Sequence, residues 1–303
     1  MSKKSDISFL QEIIYAPLGV LLWLMSKLPF CILYLFADVI AFVAYRLIGY
    51  RRRIVHSNII DSFPGRDKSE CRKIEKDFYH SLADYFVETI KMRGMSKKQM
   101  RQHMRFENTQ LIDKLLSEGK SIAIYCSHYG NWEWITSVSE WCNTRNAKYS
   151  HVYQPLRNKW FDRFFLHIRN TFSFSIPMKR VLRQFATWRS ENTVFITGFL
   201  SDQRPRRSNQ TYLIDFLGRQ TEFIGGTEEV ARKFNLAVLY FDTTRIKRGY
   251  YSSIIRLITD DACKMSPGAI TQAYAQNLET TIRRYPAAYL WSHNRWCLPR
   301  KRK

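Results

Sequence analysis

Residues 121–133, SIAIYCSHYGNWE, decide the fold. Positions 121–126 form a short apolar run with β-branched and aromatic members, the pattern of a buried strand. Ser127, His128, Tyr129 and Gly130 break it. From Asn131 the spacing predicts a helix over NWEWITSVSEW, with Asn131 as its cap and Glu133 in its first turn. A strand that delivers a His into a turn, with an acid at the start of the next helix, is how α/β proteins display reactive groups. His128 and Glu133 lie five positions apart, so on one continuous helix they would point roughly 140° away from each other. They meet only if the chain turns between them, and Gly130 supplies that freedom. A carboxylate beside the imidazole fixes its tautomer and raises its basicity, which equips His128 to take a proton from a hydroxyl. The competing reading is an ordinary strand–helix turn with His128 bonded to a nearby carbonyl.

Outward from this stretch the chain alternates strands and helices. An amphipathic helix is expected over 69–93, with Ile74, Phe78, Leu82, Tyr85 or Phe86 and Ile90 on one stripe, after a turn at Phe63-Pro64-Gly65. A helix capped by Asn108 follows over 108–116. Beyond the central strand come a strand at 148–154, helices at 160–170 and 179–189, and an apolar strand at 193–200 that ends in Ser201-Asp202-Gln203. Strands at 236–242 and 250–257 are joined by the basic turn RIKRG. Ser266-Pro267 opens a last helix that Pro286 ends. This alternation implies an α/β fold with a mostly parallel central sheet flanked by helices, so motifs at strand ends gather along one edge. Asp202 and Gln203 follow a strand as His128 does, and Asp202 thereby competes with Glu133 as the partner of the imidazole. Gly225-Gly226-Thr227 precedes EEVARK, a helix start with Thr227 as cap and as possible lining of an anion site.

The chain of 303 residues carries a formal net charge of +22 and is 45% apolar. No linker, repeat or low-complexity tract divides it, which predicts one α/β domain over 54–303 behind an N-terminal helical segment, 1–53. The charge points to an anionic membrane surface, an acidic protein or phosphorylated substrates. No helix-turn-helix, zinc-finger or RNA-recognition signature accompanies it, so nucleic acid is not expected as a partner. The six cysteines (Cys31, Cys71, Cys126, Cys142, Cys263 and Cys297) have no metal-ligand spacing and read as thiols in a reducing compartment. Cys126 belongs to the apolar strand and reads as packing rather than as a nucleophile beside His128. Positions 13–26 are apolar but too short to span a bilayer, whereas 28–48 are long enough, with Asp38 near the middle. In lipid that carboxylate would cost about 2.5–3.5 kcal/mol. Lys3 and Lys4 before the segment and Arg51, Arg52 and Arg53 after it leave orientation open, as a spanning helix or a hairpin lying on the membrane.

SHYGNWEW, VYQPLRN (152–158), FLSDQRP (199–205), DFLGRQTEFIGGTEEVARK (215–233) and YLWSHNRW (289–296) fall in this order behind an apolar N-terminal segment. The set resembles the H-x4-D/E lysophospholipid acyltransferase superfamily. Within it the chain is most similar to the late acyltransferases of lipid A biosynthesis, the lauroyl and myristoyl transferases, and to the related phosphatidylinositol mannoside acyltransferase. The resemblance implies transfer of a fatty acyl group from a thioester donor, acyl carrier protein or else acyl-coenzyme A, to a hydroxyl of a lipid A precursor or related glycolipid. It implies His128 as general base with Glu133 or Asp202 orienting it, and no metal or cofactor beyond the acyl donor. Asn131 or backbone amides would stabilise the oxyanion. Arg157, Arg169, Gln203 and Thr227 would line the substrate site, and the Arg204, Arg206 and Arg207 cluster would be solvated surface or a phosphate clamp. The implied location is the bacterial inner membrane with the site on its cytoplasmic side, where acidic carrier protein and anionic lipid both match the charge. Gln154 departs from the family, which usually has Arg before Pro there, so acceptor identity does not carry over. The other acceptors in view are a lysophospholipid, an aminolipid or a mannosylated lipid. A reading of a different class is a non-catalytic basic protein that binds membrane or nucleic acid.

Overall fold

In the computed structural model, which describes residues 9–144, 146–206 and 210–296, five helices precede the main body of the sheet. They are α1 (Phe9–Lys27), α2 (Phe30–Phe42), α3 (Arg52–Ser62), α4 (Lys68–Met92) and α5 (Lys97–His103), with a π-helical turn at Val43–Leu47 extending α2. The strands are β1 (Met104–Glu107), β2 (Ile122–Cys126), β3 (Lys148–Tyr153), β4 (Phe174–Pro177), β5 (Phe195–Leu200), β8 (Ala237–Lys247) and β9 (Tyr250–Thr259), and a separate hairpin comprises β6 (Thr211–Phe216) and β7 (Arg219–Ile224). Between them lie α6 (Gln110–Ser117), α7 (Lys159–Arg169), α8 (Val181–Ser190) and α9 (Gly226–Lys233), and α10 (Ala269–Arg284) follows β9. The large sheet has seven strands in the order β1-β9-β8-β2-β5-β3-β4. Only the β8–β9 pair is antiparallel among its neighbours. The architecture is therefore α/β with a mostly parallel sheet, as the alternation of strands and helices requires.

β2 sits in the middle and is buried at every position, as expected for a parallel strand covered on both faces. Ala123 and Tyr125 join one apolar cluster, with Phe185 of α8 and Tyr274 and Leu278 of α10. Ile122, Ile124 and Cys126 join another, with Leu115 of α6 and Trp134, Ile135 and Val138. Burial pushes the Cys126 thiol well up, in keeping with its role as packing.

α4 begins one residue before the expected boundary because Asp67 caps it, accepting from the Ser69 and Glu70 amides at 2.7 and 2.8 Å. Tyr85 lies on its buried stripe and Phe86 is exposed. α2 packs on α4 through Leu33, Ala37 and Ala41 against Ala83 and Val87, while Leu35 and Val39 are 67% and 62% exposed. The stretch Phe30–Leu47 is long and apolar enough to cross a membrane. Near its middle the Asp38 carboxylate is paired, meeting Arg248 at 2.7 Å and His80 at 3.4 Å.

Several local expectations fail for identifiable reasons. After Asn131 the chain forms a 3-10 helix, Trp134–Glu140, not an α-helix. Thr136 and Ser137 hydroxyls donate to the Glu133 and Trp134 carbonyls at 2.7 Å, three residues back, and such local bonds compete with the α-helical ladder. Asn108 adopts φ 64° and Thr109 occupies the cap position of α6. α9 is preceded by Gly225, so Thr227 lies inside its first turn. α10 starts after Gly268 at φ 87° rather than at Ser266. Its first amides are capped from afar: the buried Glu228 carboxylate accepts from Gly268 N–H and Thr271 N–H at 2.6 and 2.9 Å. Arg207, Cys297, Lys3 and Lys4 lie outside the described residues.

Candidate active site

Strand register brings the two polar turns together. Cys126 pairs with Leu200 at the end of the β2–β5 ladder, so His128 and Asp202, each two residues further on, emerge side by side. His128 Nδ1 lies 2.8 Å from Asp202 Oδ1, and the His128 backbone N–H donates to Oδ2 at 3.1 Å. Burial works to raise the Asp202 carboxyl, but the His128 charge and these two bonds outweigh it and hold it below the ordinary carboxylate range. An ionised Asp202 accepts the Nδ1 proton, so that in the neutral ring Nε2 is the nitrogen that carries the lone pair. The side chain of Gln203 approaches that lone pair, its amide nitrogen 3.2 Å away.

The turn between His128 and Asn131 needs its glycine. Gly130 has φ 60°, and a Cβ there would come within 3.0 Å of Tyr251. Its N–H donates to Ala288 O at 2.9 Å, and Leu290 N–H donates to His128 O at 3.1 Å, so the C-terminal segment clamps the turn. The chain does turn, but Glu133 does not come to His128. It takes Arg169 instead, in a bidentate pair at 2.7 and 2.6 Å, with the Tyr85 hydroxyl donating at 3.3 Å. Burial opposes ionisation of Glu133, and the Arg169 hydrogen bonds and charge reverse it, so its carboxyl is held below the ordinary range. Asn131 is fully buried. Its amide donates to Glu88 at 2.9 Å and its oxygen accepts the Trp134 N–H at 3.2 Å. Its oxygen caps the following turn as expected, but the side chain does not line the cavity and its amide is held by Glu88, which counts against the oxyanion role.

His128 stands at the head of a cavity of about 510 Å³, within the size range of ligand sites. The cavity runs over the ends of β2, β5 and β3 and down both faces of the sheet. One arm descends beside Cys126, Ile124 and Ile196 to Val138 and Tyr149; the other opens past Met178 and Leu182, which are 54% and 48% exposed. Gln203, Arg169, Glu133 and Thr227 all line it. Thr227 is held by a 2.9 Å bond between its hydroxyl and that of Ser201. Arg157 is exposed beside the mouth at Gln154 and Leu156, and does not line the cavity, while Arg204 and Arg206 lie on the turn after Gln203. No group of His, Cys, Asp and Glu among the described residues is arranged to hold a metal.

Two contributors, Gly198 and His151, were not singled out by sequence. Gly198 is the one partly exposed residue within the otherwise buried stretch 195–199 of β5, because the cavity touches it. A glycine inside a strand is the signal that marks such a close approach. His151 lines the cavity wall with its ring between the Ser173 and Ser175 hydroxyls at 2.7 and 2.8 Å, and burial lowers it to about 4. His293, in the closing block, accepts the Arg204 N–H at 3.0 Å and so fixes the turn that carries Gln203.

No curated protein matches the chain in sequence. A family model does, over residues 1–297, so every element described above falls inside the match. With its α/β fold and this cavity, the chain belongs to the bacterial lipid A biosynthesis acyltransferase family.

Proposed function

We propose that the protein transfers a fatty acyl group from the thioester of acyl carrier protein to a hydroxyl of a lipid A precursor or related glycolipid, at the cytoplasmic face of the bacterial inner membrane. One observation carries this reading: an imidazole whose Nδ1 lies 2.8 Å from a buried carboxylate heads an apolar cavity of about 510 Å³. The acceptor hydroxyl donates its proton to His128 Nε2 while its oxygen bonds to the thioester carbonyl carbon. Asp202 stabilises the imidazolium that forms. The tetrahedral oxyanion collapses, the carbon–sulfur bond breaks, and the departing thiolate takes the proton from Nε2. Direct transfer in this scheme needs no covalent enzyme intermediate.

The acyl chain fits the arm beside Ile124, Ile196 and Val138. Arg169, held by Glu133, faces the cavity as an anchor for an anionic or carbonyl group. The exposed apolar faces of α1 and α2, with Arg51, Arg52 and Arg53 at their end, suit attachment to an anionic leaflet. Lys179, Arg180 and Arg183, exposed beside Met178 and Leu182 at the open arm, suit an acidic carrier protein. The test is transfer of a labelled acyl group from carrier protein or from coenzyme A to a purified lipid A precursor, compared with His128→Ala. Product from carrier protein alone, lost in the folded variant, is the expected result. Product from coenzyme A alone would reassign the donor, and label on another lipid would reassign the acceptor.

A further inference from the structure

We propose that Gln203 is the oxyanion donor of the reaction and that in the free protein it caps the base, a role that rests on the acyl-transfer reading above. The Nδ1 proton is committed to Asp202 at 2.8 Å, so Nε2 of the neutral ring offers only a lone pair. The Gln203 amide nitrogen lies 3.2 Å from it and must be the donor. The position an attacking hydroxyl has to occupy is therefore taken by an amide N–H. When the hydroxyl arrives it displaces this group, which stays beside the reacting carbon with a free donor directed into the cavity.

The surroundings let the side chain move while its backbone stays. Asp202, one residue before, is fixed by two bonds to His128, and Arg204, one residue after, is fixed by its N–H to His293 at 3.0 Å. Gln203 itself is half-buried and lines the cavity. Among the described residues, other polar side chains near the base already have partners. Asn131 is buried on Glu88, the Thr136 hydroxyl donates to Glu133 O, the Ser201 and Thr227 hydroxyls bond each other, and Arg169 grips Glu133 with two of its nitrogens. The exchange also balances: the hydroxyl gains the bond to Nε2 that the amide gives up, and the amide regains a bond when charge develops on the thioester oxygen. That bond is strongest in the transition state, which is the condition for acceleration.

The test compares wild type, Gln203→Leu and Gln203→Glu in acyl transfer, alongside binding of two unreactive donor mimics, a thioether and a tetrahedral phosphonate. Removal of one oxyanion donor lowers kcat by about 10²–10³-fold, with KM and thioether affinity unchanged and phosphonate affinity falling with kcat. Gln203→Glu keeps the shape but exchanges the N–H for a negative charge that repels the oxyanion and draws a proton onto Nε2, and is expected to fall at least as far as Gln203→Leu. Activity retained in Gln203→Glu, or a loss in either variant that appears as KM and thioether affinity, would overturn the proposal and leave Gln203 a shaping residue. If wild type transfers no acyl group and binds neither mimic, the acyl-transfer reading itself fails.

Discussion

Asp202→Asn separates the two carboxylates that the sequence leaves in competition for His128. In the wild-type geometry Oδ2 accepts the His128 backbone N–H at 3.1 Å and Oδ1 faces Nδ1 at 2.8 Å. An asparagine keeps its one oxygen on the backbone N–H, which can only donate, and so turns its amide nitrogen toward Nδ1. That nitrogen is a donor, and Nδ1 must then accept. The ring proton moves to Nε2, where the lone pair needed for the substrate hydroxyl disappears. Replacing the buried aspartate of a serine-protease triad in this way costs about 10⁴-fold in kcat, equivalent to about 5.5 kcal/mol of barrier, and the same inversion of tautomer predicts a similar loss here. Single-turnover acyl transfer measures it, and the ¹⁵N shifts of His128 report the tautomer without turnover. Glu133→Gln leaves the His128–Asp202 pair in place and is expected to keep the wild-type tautomer. If Asp202→Asn retained more than a tenth of wild-type kcat with an unchanged tautomer, the inference that Asp202 orients the base would be refuted.

Three further outcomes follow from other contacts. Glu133→Gln removes half of a buried bidentate pair, and because Arg169 keeps 22% exposure, the loss of stability should fall near the lower end of the range of about 3–5 kcal/mol for breaking buried pairs; a thermal midpoint equal to wild type would count against that pair as a structural tie. Glu88 is pushed up to about 7, above its ordinary value of 4.5, mainly by burial. The folded protein therefore binds its proton more tightly than the unfolded chain. The stabilising contribution, about 3 kcal/mol at most, is complete below the unfolded pKa and lost as pH rises through about 7. Glu88→Gln should flatten the melting profile across neutral pH, and an unaltered profile would argue against the assignment. At Gly198 a Cβ would meet Cys126 and His151 only at 3.9 Å, ordinary contact, so Gly198→Leu should fold and fill the arm of the cavity. Mass analysis of products from mixed donors should show a shift to shorter acyl chains, and an unchanged chain distribution would exclude this arm as the acyl site.

The sequence made the centre of the fold legible because its signals there are local. The apolar run 121–126 and the glycine-containing turn after it survive in the structure as β2 and the His128 turn with small shifts of boundary, whereas the helix expected from Asn131 becomes a 3-10 helix. What it left open was set by neighbours distant along the chain. Which acid meets His128 depends on β5 lying beside β2, a matter of strand order that no spacing near His128 records. Asn131 reads locally as a cap and is one, yet its amide is taken by Glu88 from α4, which removes it from the cavity. The β6–β7 hairpin was hidden because Leu217 occupies a left-handed position at φ 53° ahead of Gly218, where a turn signature would place Asn or Gly. β1 and β4, at four residues each, are too short for alternation to show.

The spacing between His128 and Glu133 acquires a different meaning from the contacts around it. Two buried carboxylates stand near one imidazole, and were both to face it, each would raise the other and one would take up a proton. The five-residue separation across Gly130 sends them apart, so that each acid has its own partner: Asp202 the imidazole, Glu133 the Arg169 guanidinium. Both carboxyls are consequently held low despite burial. α4 enforces the division, since Tyr85 bonds Glu133 while Glu88 holds Asn131, and the Trp134 ring N–H donates to the Glu88 carbonyl at 3.3 Å. Glu88 also accepts from Tyr251 of β9 at 2.9 Å and Tyr34 of α2 at 3.0 Å. The turn that presents the base is thus pinned from below by one helix and from the side by residues 288–290. The imidazole needs no reorganisation to face the cavity with its lone pair; the one group in its way is the Gln203 amide.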